Sequence, residues 1–292
     1  MTDAFDQMQV AADFETHCGE NPLWDANGRR LFWLDILRPR LFWLDPESGL
    51  SDTYFEGEVV GGLTLQADDS QLLFMAGGRI AKLSVGGDPQ VVCCVPAERD
   101  TRFNDVVADP LGGVFFGAMP TGEHPGAIYR IDPSGACSLV LDDIALPNGM
   151  AFSPDHAVFY YVDSRRRRIW RACFDPQSGA LSNTHILVEN RDADGLPDGL
   201  CVDADGYLWS ARWDGGCVIR YAPDGTEACR LDVPAQKVTS VTFGGESLDD
   251  LYITTAGAAK RPEEGCGAGA LFRTRLSGIR GLPEMKSRVL IE

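Results

Sequence analysis

Apolar residues in this chain come in short bursts, not long runs. Arg30-Leu31-Phe32-Trp33-Leu34 is followed, after a polar turn, by Arg40-Leu41-Phe42-Trp43-Leu44, and each burst closes with Asp. The same pairing returns as Leu72-Leu73-Phe74-Met75 with Ile80-Ala81-Lys82-Leu83, and as Val114-Phe115-Phe116-Gly117 with Ala127-Ile128-Tyr129-Arg130-Ile131. It returns again in Val158–Val162 with Ile169–Ala172, Tyr207–Ser210 with Val218–Tyr221, and Leu251–Thr254 with Ala270–Arg273. Bursts this short, rich in aromatic and β-branched residues and bounded by Gly, Pro and Asp, predict strands; no long helical periodicity competes. Asp132-Pro133-Ser134-Gly135, Asp175-Pro176-Gln177-Ser178-Gly179 and Ala222-Pro223-Asp224-Gly225 fill one turn slot in successive units. Proline presets the first turn residue and glycine takes the positive-φ position. A strand-built repeat of roughly 40 to 50 residues predicts an all-β, six-bladed β-propeller with four-stranded antiparallel blades. The whole chain, 1–292, is then expected to be a single domain, because a propeller closes as one ring. Gln9–Phe14 and Arg288–Ile291 read as strands outside the six units, one of them expected to supply the outer strand of the other's blade and so cover sheet edges.

One slot of the repeat carries chemistry. Pro147-Asn148-Gly149 and Pro197-Asp198-Gly199 align at an offset of 50 (148 to 198), and Phe103-Asn104-Asp105 aligns with the first at 44 (104 to 148). Matching Phe32–Asp35 to Tyr160–Asp163, an offset of 128 (35 to 163), places Glu20 on Asn148. The remaining slots fall at Gly61 and Thr239. Equivalent slots of a propeller face the same axis, so Glu20, Asn104, Asn148 and Asp198 are expected to meet there. Asn-Gly and Asp-Gly are also common turn pairs, and any one of these taken singly could be only that; four at one slot point to the axis. Two carboxylates with amide oxygens form a hard-ligand site for one divalent cation, with coordination positions left open.

Composition removes alternatives. The net charge of −17 excludes a nucleic-acid or anionic-membrane surface. No apolar run is long enough to span a bilayer, and Met1–Asp6 lacks a signal-peptide pattern, so a cytoplasmic location is expected. The nine cysteines are scattered, without zinc-finger spacing, and fit a reducing compartment as small core hydrophobes. Arg165-Arg166-Arg167-Arg168 is expected at a solvated hairpin tip, and neither an HExxH nor a GxSxG motif occurs.

Cys18-Gly19-Glu20-Asn21-Pro22-Leu23-Trp24, Arg102-Phe103-Asn104-Asp105, Pro147-Asn148-Gly149 and Pro197-Asp198-Gly199 together resemble the regucalcin (senescence marker protein) and gluconolactonase family over nearly the whole chain. The resemblance implies a divalent metal (Ca²⁺, Zn²⁺, Mn²⁺ or Fe²⁺) held by Glu20, Asn148 and Asp198. It implies contacts from Arg102 and Asn104 to a small-molecule sugar lactone, and hydrolysis of that lactone to the open-chain acid. The loop after Met119 is similar to that of bacterial sugar-acid lactonases, which implies a sugar contact from Glu123. Asp198 is the expected general base. No obligate protein partner is evident. Two other functions use the same residues: a propeller esterase or phosphotriesterase with a more apolar pocket, and a non-catalytic calcium-binding propeller.

Overall fold

The computed structural model describes residues 7–290. Six four-stranded antiparallel sheets stand in a ring. Blade one contains Gly19–Asp25, Arg30–Asp35, Arg40–Leu44 and Ser51–Glu56, in that order from the axis outward. Blades two to five repeat this plan, with inner strands Val60–Leu65, Phe103–Ala108, Pro147–Phe152 and Leu196–Val202. In blade six the inner strand is Val238–Gly244, and the outermost is Gln9–Ala12, which pairs with Leu271–Arg275. The N-terminal strand therefore closes the ring. Arg288–Leu290 forms no strand, so the C-terminal half of the closure expectation fails; Ile291 lies outside the described residues. Instead the C-terminal segment crosses the end of the ring where the inner strands finish. Gly281 bridges Asp203, Ser287 bridges Gln66, and the Arg288 N–H donates to the Gly112 carbonyl at 2.7 Å. These contacts satisfy backbone groups at three different blades, which explains why the segment has no strand partner of its own.

Burial explains the radial order. Inner strands such as Pro147–Phe152 are buried throughout, whereas outer strands such as Cys137–Ile144 are mostly open to solvent. The apolar bursts do not form one central core. They form six clusters, each shared by two neighbouring blades. The ring of Phe115 of blade three lies 4.7 Å from that of Phe159 of blade four, and Phe74 of blade two 5.0 Å from Phe116 of blade three, both pairs tilted. Fully burying such a ring stabilises by roughly 1.5–3 kcal/mol. Blade-to-blade packing consumes the apolar faces, and the axis is left to polar residues.

Candidate active site

Each inner strand carries one irregularity in its pairing with the next strand, and it falls at the repeat slot every time. The register shifts lie between Glu20 and Leu23, Val60 and Gly62, Phe103 and Val106, Asn148 and Met150, Pro197 and Leu200, and Val238 and Ser240. A bulge re-aims the side chain beside it. Asn148-Gly149 and Asp198-Gly199 are thus strand residues, not turns. Their glycines answer to crowding between inner strands. A Cβ on Gly149 would lie 2.5 Å from the Asp198 carbonyl oxygen, and one on Gly199 would lie 2.1 Å from Ser240 Oγ. The approach to the slot is held by buried aspartates. Asp35 accepts from the N–H groups of His17 and Cys18 at 2.9 and 3.0 Å, and Asp163 accepts from those of Ala145 and Leu146 at 3.0 and 3.2 Å. The Asp that ends a second strand therefore positions the start of the first.

The structure brings Glu20, Arg102, Asn104, Asn148 and Asp198 to one cavity of about 260 Å³, at the end of the axis where the inner strands begin. Arg102 Nη1 donates to Asn104 Oδ1 at 2.7 Å, and Asn104 Nδ2 donates to Asn148 Oδ1 at 3.1 Å. Asn148 Nδ2 donates to Ser164 Oγ at 3.1 Å. Slots two and six contribute no ligand: Gly61 lies against the blade-three backbone, and Thr239 Oγ1 donates to the Gly19 carbonyl at 2.5 Å. Glu123 is not brought into this cavity. It is exposed, in a separate recess with Arg99, Asp100 and His124. The arginine run lies, as expected, at a hairpin tip of blade four: Arg165–Arg167 form the turn, with Arg165 and Arg166 exposed, and Arg168 opens the next strand. Arg166, Arg167 and Arg168 pair with Asp143, Asp192 and Glu189, while Arg165 lines the cavity with Trp213 and Met119.

Two oxygens decide whether a cation fits. Glu20 Oε2 and Asp198 Oδ1 are buried without a hydrogen-bond partner. Burial raises the Glu20 carboxyl far above its ordinary range, and the Asp198 charge raises it further. Burial likewise raises Asp198, with the Asp105 charge adding to it and the Asn148 amide partly offsetting it. Unpaired buried carboxylates are costly unless a positive charge balances them. Arg102 is close enough to lower both, but its own pKa is depressed by burial. Among the described residues there is no cluster of three His, Cys, Asp or Glu side chains able to hold a metal. The donor set is instead two carboxylates plus neutral amides, which suits a hard divalent ion. Asp105 was missed as a site residue. One position past the slot, strand alternation would turn it away; the bulge lets it face the axis, where it lines a second cavity with Asn21 and Glu284. Burial pushes its pKa up to about 7.

Residues 18–257 match the model of the family described as SMP-30/Gluconolactonase/LRE-like region. The chain is 44% identical to pentonolactonase XacC of Haloferax volcanii, covering 97% of this chain and 99% of that protein. It is 32% identical to regucalcin of Danio rerio, covering 91% and 92%. Among solved structures it is similar to a calcium-binding protein, regucalcin, of Agrobacterium tumefaciens, with TM-score 0.89, 25% identity and 98% of each chain covered. No helix among the described residues is long and apolar enough to cross a membrane.

Proposed function

We propose, from the premise that the chain belongs to the SMP-30/gluconolactonase/LRE-like family, that it hydrolyses a sugar-acid lactone to the open-chain acid with one divalent cation at the ring axis. The observation that carries this is the pair of orphaned carboxylate oxygens, Glu20 Oε2 and Asp198 Oδ1, in a cavity that also holds Arg102. Glu20, Asn148 and Asp198 would hold the cation. When bound, it supplies charge balance to the two carboxylates and Lewis-acid polarisation of the lactone carbonyl.

The chain's own residues account for the rest. Asp198 takes a proton from the attacking water and returns it to the ring oxygen as the ester bond breaks. Arg102 directs its guanidinium at the lactone hydroxyls and at the carboxylate that forms. Asn104, fixed between Arg102 and Asn148, presents an amide to the same hydroxyls. A five-carbon lactone is the favoured substrate, because the 44% identical relative is named a pentonolactonase. The test is a panel of pentono- and hexonolactones on chelated protein, with Ca²⁺, Zn²⁺, Mn²⁺ and Fe²⁺ restored singly. No turnover above spontaneous opening with any of the four ions would sink the proposal.

Arg102→Ala should keep the cation and lower kcat/KM by about 10-fold, or about 1.4 kcal/mol. Loss of cation content in this variant would make Arg102 a support for the ligand shell, not a substrate contact. A pH effect follows from the raised carboxyls. A group whose folded pKa is raised contributes stability below its unfolded value, which is lost as pH rises through the folded one. Cation-free protein should therefore lose stability as pH rises and Glu20 and Asp198 ionise. The rise in Tm on adding cation should grow from near zero at about pH 4 to several degrees at about pH 8. Calorimetry across that range checks it; a cation effect independent of pH would contradict it.

A further inference from the structure

The junction of blades two and three brings together two cysteines far apart in sequence. Cys93 is in the outer strand of blade two, Gln90–Cys94, and Cys137 opens the outer strand of blade three, Cys137–Ile144. Their sulfurs are 3.1 Å apart, across 44 positions of chain. That is about 1 Å beyond the length of a disulfide bond, about 2.05 Å. Each strand is pinned by its ladder: Cys93 pairs with Ile80, and Cys137 with Ile131. Both side chains pack against the apolar cluster shared by the two blades. The approach is therefore set by blade packing, not by a mobile loop. Both thiols are partly open to solvent, and Cys94 beside them is exposed.

We infer that Cys93 and Cys137 form an inter-blade disulfide on exposure to a low-molecular-weight disulfide. The Cys93 sulfur attacks the reagent as thiolate, forming a mixed disulfide and releasing one thiol. The Cys137 sulfur then displaces the second thiol and closes the Cys93–Cys137 bond. Two protein thiols are oxidised, their two protons and two electrons leave on the two released thiols, and no other reactant is needed. Burial, and after it the contact with Cys93, pushes the Cys137 thiol up.

The bond would close a loop that contains Arg102, Asn104 and the Glu123 loop. A cross-link restricts chiefly the unfolded chain, so stability should rise. Both sulfurs sit on outer strands, outside the lining of the axial cavity. Turnover should then be unaffected.

The test treats the full-length protein with glutathione disulfide or with dithiothreitol and maps peptides without reduction. The expected result is a Cys93–Cys137 cross-linked peptide and a Tm higher by about 5 °C or more in the oxidised sample. Lactone turnover should stay within about 2-fold, since no group in the cavity changes. Cys93→Ala and, independently, Cys137→Ala should each abolish the shift, while Cys94→Ala should keep it. The inference is overturned if wild-type protein yields no such peptide, if oxidation stops at a glutathione adduct, or if Cys94 replaces Cys93 in the cross-link. Mapping wild-type protein decides the matter even where a variant folds poorly.

Discussion

Asp198→Asn is expected to fold into the same ring and to turn over its lactone about 100-fold more slowly, or worse, at saturating cation. The substitution keeps the side-chain shape and one oxygen that could face the cation. It removes the basicity and one of the two buried negative charges. Cation affinity should fall, so kcat must be measured at saturation and corrected for spontaneous ring opening. Asp198 is suited to the role by its surroundings: it is buried, and one oxygen has no protein partner. Burial and the Asp105 charge raise its affinity for a proton, and the Asn148 amide partly offsets them. Turnover near that of the wild type at saturating cation would leave Asp198 as a ligand alone, and the base would have to come from elsewhere in the cavity.

Glu20→Gln should lose cation affinity by about 100-fold or more. Removing an outer partner of a metal ligand already costs about 10–100-fold, and Glu20 is proposed as a direct ligand. The same variant carries an opposite, discriminating effect on stability. In cation-free protein, burial and the Asp198 charge make ionising Glu20 costly, and a neutral amide in its place avoids that cost as pH rises. The variant should therefore melt higher than wild type without cation and lower with it. Titration calorimetry and paired melting curves check both signs. Unchanged affinity would remove Glu20 from the ligand set and undo the argument from the repeat slot.

The repeat was legible because a propeller writes its geometry into the chain. Strand, turn and strand recur at near-constant spacing, so Phe32–Asp35 and Tyr160–Asp163 occupy equivalent places in blades one and four. The slot residues Glu20, Asn104, Asn148 and Asp198 could be gathered from spacing alone and do line one cavity. Glu123 could not be placed by the same logic. It belongs to a loop between strands, and no periodicity governs where a loop folds.

By itself the sequence determined the number of blades, the strand pairs within them and the slots that face the axis, since each follows from local alternation and repetition. Only the tertiary structure decided which end strand closes the ring, because Gln9–Ala12 and Arg288–Leu290 are equally strand-like and the choice depends on which reaches the open edge of Leu271–Arg275. It decided that Asp105 joins the axis, because a bulge reverses the facing that alternation predicts. It decided that one arginine of four lines the cavity, because three are held by acids from other strands and loops. The meeting of Cys93 and Cys137 was equally invisible in the chain: contact between outer strands of different blades depends on how two sheets pack, and side-chain packing between sheets has no period to read.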